Sequence, residues 1–396
     1  MKSTLTLSIH HIYPNRYILY QYTLLIIICT TLLTACVEPY APPAIESTNS
    51  YLVIDGYINS SDGSATVKLS RSVSLSSTDT PPAELNATAS IEDDKGNTTL
   101  LTGDNTGKYT GGGIPINSTS LYRLRIKTSN NKEYLSDYIT LKDTPPIDEL
   151  TWAPGKDGVN ITVSTHDDSG NSRYYRWDYD ETWEYTAVYL SGFIFKNDSL
   201  IPRPYDQYIY RCWRTTTSHD INIASSDQLA QDIIDDKLIT HIPVGSQKLF
   251  IKYSMLLRQR ALTREAYNYW EQLEKTTESL GGLFDPQPGK VAGNIYNTAD
   301  LDEPVLGYFS GGTVQSQRFF LSSNDLPNEL RRFQGMEGCM ADTVLMKDIK
   351  NYSPLYSEAI GEATQGPVVI GYIFTSKSCA DCRVQGGTTT KPDFWQ

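Results

Sequence analysis

Between residues 50 and 143 the chain alternates apolar and polar residues in short runs, and turn-forming residues break those runs at nearly regular intervals. The runs are Tyr51 to Ile58, Ser64 to Arg71, Asn86 to Glu92, Ser120 to Thr128 and Glu133 to Leu141. A period of two places successive side chains on opposite faces of an extended strand, and no helical period competes with it here. Asp62-Gly63, Asp93-Asp94-Lys95-Gly96-Asn97, Asp104-Asn105-Thr106-Gly107 and Ser129-Asn130-Asn131 supply the turns between strands. This region is therefore expected to form an antiparallel, immunoglobulin-like β-sandwich. The acidic loops could be read as calcium ligands, but Asp, Asn and Gly are what such turns need, and turn chemistry is the reading adopted.

Asp143-Thr144-Pro145-Pro146 marks an expected boundary, after which residues 147–396 read as a larger, mainly β domain. Strands are expected at Asn160 to His166, Arg173 to Tyr179, Tyr208 to Arg214 and Lys248 to Arg258. Further strands are expected at Val291 to Tyr296, Val305 to Phe309, Gln317 to Leu321 and Val368 to Phe374. Two helices interrupt them. Ser225-x-x-Gln228 resembles a capping box and predicts a helix near 226–238, with Asp235-Asp236 on its solvated face. The second, near 264–280, rests on Ala266, Tyr269, Trp270, Leu273, Thr277 and Leu280 at helical spacing, with Gly281-Gly282 to end it. The fold class is thus mainly β, with one or two helices packed by their apolar stripes.

The N-terminal segment says where such a chain would reside. An apolar run from Thr23 to Leu33 stops at Leu33-Thr34-Ala35-Cys36, and a proline-bearing polar stretch to Asn49 follows. This resembles the lipobox of bacterial lipoproteins, in which the cysteine takes a diacylglycerol before the leader is removed. Residues 1–35 are then a signal peptide, Cys36 the lipidated residue and 36–49 a tether. A membrane-spanning helix wants about 20 apolar residues, and the uninterrupted run is nearer the signal-peptide range. Removing the leader takes away Lys2 and Arg16 and no acid, so the formal net charge moves from -12 to -14. That balance argues against nucleic acid and against electrostatic docking on anionic lipid, leaving covalent acyl chains as the membrane link.

Of six cysteines, Cys29 leaves with the leader and Cys36 carries lipid, so Cys212, Cys339, Cys379 and Cys382 remain. Four cysteines in an exported chain read as two disulfides, for which three pairings exist. A loop as short as Cys379-x-x-Cys382 closes badly on itself, so each is expected to reach back to Cys212 or Cys339. No metal is assigned, because His166, His219 and His241 stand at no ligand spacing. His166-Asp167-Asp168 reads as a polar turn.

No nucleophile elbow, phosphate loop or HExxH motif occurs, so no catalytic residue and no cofactor is assigned. The compositional excess is aromatic, at 27 Tyr and 6 Trp against 10 Phe. Tyr175, Trp177 and Tyr179 alternate onto one strand face, with Trp183 beyond them. An open face would be a platform for a sugar or peptide, and a closed one would be core. Core is preferred, and Arg176 and Asp178 then face water.

The ordered set Phe284-Asp285-Pro286-Gln287-Pro288, Gly293-Asn294-Ile295, Gly307-Tyr308-Phe309 and Cys379-Ala380-Asp381-Cys382 resembles the Bacteroidetes lipoproteins of domain-of-unknown-function family 4249. Gly386-Gly387, Lys391-Pro392-Asp393-Phe394-Trp395, Leu52 to Ile58 and Val67 to Ser70 extend the likeness. The resemblance implies a non-enzymatic accessory or cargo-binding partner of a TonB-dependent outer-membrane transporter, held by palmitate-type acylation. It implies the outer membrane, with the leaflet open and the cell surface favoured. A surface glycan- or peptide-acting hydrolase and a structural envelope or adhesion module are the other two readings.

Overall fold

Apolar residues at every second position give β1 (Leu52–Asn59) and β2 (Ser64–Arg71) one buried and one polar face, and the same rule extends through the first seven strands. These continue as β3 (Thr88–Asp93), β4 (Thr98–Gly103), β5 (Lys108–Gly111), β6 (Tyr122–Lys127) and β7 (Glu133–Ser136). The computed structural model describes residues 50–73, 80–196, 199–278, 293–331, 338–351 and 357–396, and residues 50–396 belong to one compact unit. The leader, Cys36, the tether and the Phe284-to-Pro288 motif lie outside the described residues.

The turns form as their chemistry requires. Asp104 Oδ1 accepts from the Thr106 and Lys108 amides at 2.8 and 3.0 Å, and Asp93 Oδ1 accepts from those of Lys95 and Asn97 at 3.0 and 2.8 Å. Their oxygens are thus engaged by the turns themselves.

The mainly β class is what the structure shows, but the expected sandwich takes the form of one strongly curled sheet. Its strand order is β17-β7-β6-β3-β4-β5-β2-β1-β18, where β17 (Ile295–Asn297) and β18 (Val305–Gly312) come from far along the chain. β18 runs parallel to β1 from Leu52↔Val305 to Asn59↔Gly312, and β17 pairs with β7 at the other edge. The Asn294 side chain nearly closes the ring, donating to the Phe309 carbonyl and accepting from its amide at 2.8 Å each. Only glycine fits this seam. A Cβ on Gly293 would lie 1.7 Å from the Gly307 oxygen, and one on Gly307, at φ +136°, would lie 1.9 Å from the Ile54 oxygen. Two of the family-like motifs are therefore the seam of a barrel-like sheet.

Residues 143–146, where a boundary was expected, are held on both sides within the one compact unit. Thr144 Oγ1 donates to the Thr313 carbonyl at 2.6 Å and accepts from the Ala261 amide at 2.9 Å, while the Pro145 and Pro146 carbonyls accept from Gln259 and Thr165 at 2.8 Å each. Beyond it lie β8 (Ile147–Pro154), β9 (Gly158–His166) and β10 (Tyr174–Thr186), then the hairpin β11 (Phe193–Lys196) and β12 (Ser199–Pro202). β13 (Arg211–Thr217), β14 (Asn222–Ser225), β15 (Ile233–Pro243), β16 (Lys252–Ala261) and β19 (Gln315–Ser322) follow. A sheet ordered β13-β10-β16-β19, with β14 also on β10, packs against a second ordered β15-β9-β8.

The helix expected near 226–238 is not there: a turn occupies its first part, and β15 takes over from Ile233. Ser225 Oγ donates to Asp227 and accepts from its amide, and Ser226 donates to Asp232, so these side chains shape a turn. Ile234, Ile239 and Ile242 are buried, and β-branched side chains favour a strand. Asp235 and Asp236 sit where the β15 register shifts, with Asp236 at φ +47°. The other helix, α1 (Arg264–Glu278), forms as expected. Thr263 Oγ1 accepts from the Ala266 amide at 3.2 Å, and Ala266, Tyr269 and Trp270 are buried against Tyr174, Ile223 and Tyr308.

At the C-terminal end, β20 (Ala341–Leu345), β21 (Ser357–Gln365) and β22 (Val368–Ser376) form a small sheet ordered β20-β22-β21. Disulfides join Cys212 to Cys382 and Cys339 to Cys379, so neither half of the Cys379-x-x-Cys382 pair closes on the other.

Candidate functional site

The aromatic run on β10 is not an open platform. Tyr175 and Trp177 are 0% exposed, Tyr179 4% and Trp183 5%. They form the core between the two sheets of the sandwich, and their polar atoms are spent inside it. Trp177 Nε1 donates to Gln259 at 2.8 Å, Tyr175 Oη to Asp232 at 3.0 Å and Trp183 Nε1 to Gln247 at 2.9 Å. These four residues are core and not a ligand site, because no ligand can reach their faces.

What that burial leaves outward is the opposite face of β10, carrying Arg176, Asp178 and Asp180. The register of β16 places Arg260 beside Arg176 and Arg258 beside Asp178 on this same face. It looks onto the outer wall of the barrel-like sheet, where alternation on β1, β2 and β5 turns Asp55, Tyr57, Thr66, Lys68 and Lys108 outward. Between the two walls lies a cleft of about 370 Å³.

Its floor is a ladder of alternating charge. Asp178 accepts from Arg258 at 3.2 Å and from Arg260, and Asp180 accepts from Arg258 and, at 2.8 Å, from Thr217 Oγ1. Burial would raise the Asp180 carboxyl, but the hydrogen bonds from Arg258 and Thr217 outweigh it and hold the group below the usual carboxylate range. Asp180 is thus a fixed anion at neutral pH, suited to holding arginines in place. Arg176 lies 3.6 Å from Asp55, and its guanidinium carbon sits 3.5 Å from the Trp270 ring centroid. Arg260 lies over the Tyr57 ring at 4.6 Å, and burial pushes the Tyr57 hydroxyl well up. The Arg260 Nε is itself buried without a hydrogen-bond partner.

The far end of the same face is covered by the chain's last residues. Phe394 lies against Arg318 at 3.6 Å, and buried Trp395 stacks edge-on to Phe320 and donates to Glu184 at 3.0 Å. Of the two terminal aromatics, Trp395 is buried and Phe394 is exposed. His166 ends β9 exposed, with Nδ1 2.7 Å from Asp148, whose hydrogen bond raises its pKa. Among the described residues no group of three or more His, Cys, Asp or Glu is placed to hold a metal ion, and no helix is long and apolar enough to cross a membrane.

Arg176 and Asp178 were readable as outward residues from alternation alone. Lys68, Lys108, Arg258 and Arg260 were not singled out by sequence. Their signal was the polar face of each strand, Asp55/Tyr57 on β1, Thr66/Lys68 on β2 and Arg258/Arg260 on β16, and no sequence pattern says that these faces meet.

Residues 37–318 match the sequence model of a family described as "Domain of unknown function (DUF4249)". The match ends within β19, ahead of the Cys379-to-Trp395 segment. No curated protein matches. Among solved structures, one that aligns is the trypsin-activated alpha-2-macroglobulin from Escherichia coli, at 14% identity and a TM-score of 0.17, covering 55% of this chain and 15% of that one. A superposition that loose carries nothing about fold or function.

Proposed function

The chain belongs to the DUF4249 family, and from that premise we propose that it is a lipid-anchored outer-membrane protein that works without a catalytic step of its own, as an accessory or cargo-binding partner of a TonB-dependent transporter. The observation that carries this reading is the apolar run ending in Leu33-Thr34-Ala35-Cys36, followed by a proline-bearing spacer that leads into a disulfide-bonded β unit. Two disulfides suit an oxidising compartment beyond the cytoplasm. Acylation at Cys36 with two or more chains gives stable membrane attachment, where one chain does not. The mature residue after the cysteine is Val37, and Glu38 is the lone acid nearby, which leaves either leaflet open to it with the cell surface favoured. The charged cleft between the barrel-like sheet and the sandwich is the surface assigned to cargo.

The test is a pull-down of the tagged full chain from native outer membranes in mild detergent, with co-eluting proteins identified by mass spectrometry. A stoichiometric β-barrel transporter is the expected result. Recovery of the chain alone would sink the partnership. In parallel, Cys36→Ser is expected to move the protein out of the membrane fraction and abolish acyl labelling.

A further inference from the structure

We propose that the cleft between β1/β2/β5 and β10/β16 is a binding site for a small oxyanion, a carboxylate or phosphate group of its ligand. The proposal rests on reading this cleft as ligand-facing and does not need the transporter.

Five cationic side chains, Lys68, Lys108, Arg176, Arg258 and Arg260, line the cleft against three carboxylates, Asp55, Asp178 and Asp180, in a chain whose formal net charge is -12. The acids are committed. Asp178 and Asp180 hold Arg258 and Arg260, and Asp55 faces Arg176. Lys68 and Lys108 stand directly opposite one another in the β2–β5 pairing, both exposed, and Asp55 stands opposite Lys68 on the β1 side without closing to an ion pair. Like charges directly opposed across two strands destabilise a sheet. Asp104, in the Lys108 hairpin, has its Oδ1 turned to the Thr106 and Lys108 amides, and the Lys108 charge acts on it without an ion-pair contact. Neither lysine forms an ion pair among the described residues.

The other unspent donor is Arg260 Nε, buried with no partner although its Nη1 holds Asp178. A buried donor left unmade costs free energy, and an atom without accessible surface meets no ligand, so this N–H is a cost carried by the cleft wall and not a contact offered to a ligand. Two exposed ammonium groups without an ion pair, beside arginines held in place by Asp178 and Asp180, match an oxyanion, which offers several acceptor lone pairs and negative charge together. At about 370 Å³ the space suits a small molecule or the end of a larger one. Because the protein as a whole repels anions, attraction must act at short range and weaken as salt is added.

Isothermal titration of the full chain in mild detergent at low ionic strength, with inorganic phosphate and separately with citrate, tests this. At least one is expected to bind, with affinity falling on the order of tenfold or more in K68Q/K108Q and retained in K68R/K108R. Tighter binding of phosphate assigns a phosphoryl ligand, and tighter binding of citrate a carboxylate. Both lysines are exposed, so the variants are expected to fold, which circular dichroism checks. No heat with either probe, or binding that K68Q/K108Q leaves unchanged, overturns the proposal. A pull-down that finds no transporter would remove the partnership and leave this site standing, whereas silent titrations would do the reverse.

Discussion

The two cores are held together in different ways. Inside the barrel-like sheet the packing is mostly aliphatic, with Leu52, Ile54, Ile58, Val67, Leu124 and Ile126 all under 2% exposed, and the ring is closed by glycines that let backbones touch. Inside the sandwich the packing is aromatic, and polar groups are buried with it. Gln259 accepts from Trp177 and donates to Pro145 and Thr165, while Glu181 accepts from Tyr253 at 3.0 Å and Lys248 at 2.6 Å. The first core tolerates changes of side chain of similar volume but no added atom at the seam. The second tolerates little change of hydrogen-bonding pattern, because each buried polar group left alone carries its full desolvation cost.

The contrast breaks most sharply at the seam. Gly307→Val puts a Cβ inside the Ile54 carbonyl, and a loss above about 4 kcal/mol is expected, read as unfolding or rapid limited proteolysis. Wild-type stability in that variant would mean that the ring does not close as described. Next in size is the bond between Cys212 and Cys382, which spans 170 residues, and C212S/C382S should cost about 2–5 kcal/mol by denaturant titration. Gln259→Leu removes the acceptor of Trp177 Nε1 without emptying volume, and about 1–3 kcal/mol is expected. A neutral result there would show that the polar network sets specificity and adds no stability.

The smallest effect is one of pH and belongs to the barrel-like sheet. Burial would raise Glu303, but hydrogen bonds from Lys132, Tyr134 and Asn297 hold its pKa below the ordinary value, and Glu92 is lowered likewise against its own burial by Arg125 and Arg123. Carboxylates depressed on folding contribute stability above their unfolded pKa, about 4.3, and lose it as pH falls through the folded value. Melting temperature should therefore drop on acidification below that point, and Glu303→Gln should flatten the drop. An unchanged slope would assign the acid sensitivity elsewhere.

Local structure was legible where one period dominated. Leu52 to Asn59 alternates cleanly, and Ala266, Tyr269 and Trp270 recur at helical spacing, so β1 and α1 could be read directly. In residues 226–238 the cap-like Ser225-x-x-Gln228 imitates a helix start, while the isoleucines that follow it favour a strand. Partnership was not legible at all. Nothing in Leu52 to Asn59 says that Val305 to Gly312 lies beside it in parallel, and the same silence hid the cleft, whose walls come from β1, β2 and β5 on one side and β10 and β16 on the other. Alternation tells which way a side chain points but not what it meets.

The parallel pairing of β1 with β18 sets a timetable. Ribosomes add about 5–20 residues per second, so residues 52–59 wait on the order of ten to fifty seconds before residues 305–312 exist to cover them. During that interval the strand exposes a row of unpaired amides and carbonyls backed by Leu52, Ile54 and Ile58, the kind of edge on which chains aggregate. Its safe passage is a matter of custody, and a chaperone that holds extended, apolar-backed segments should be limiting for the yield of this protein long before its final stability is.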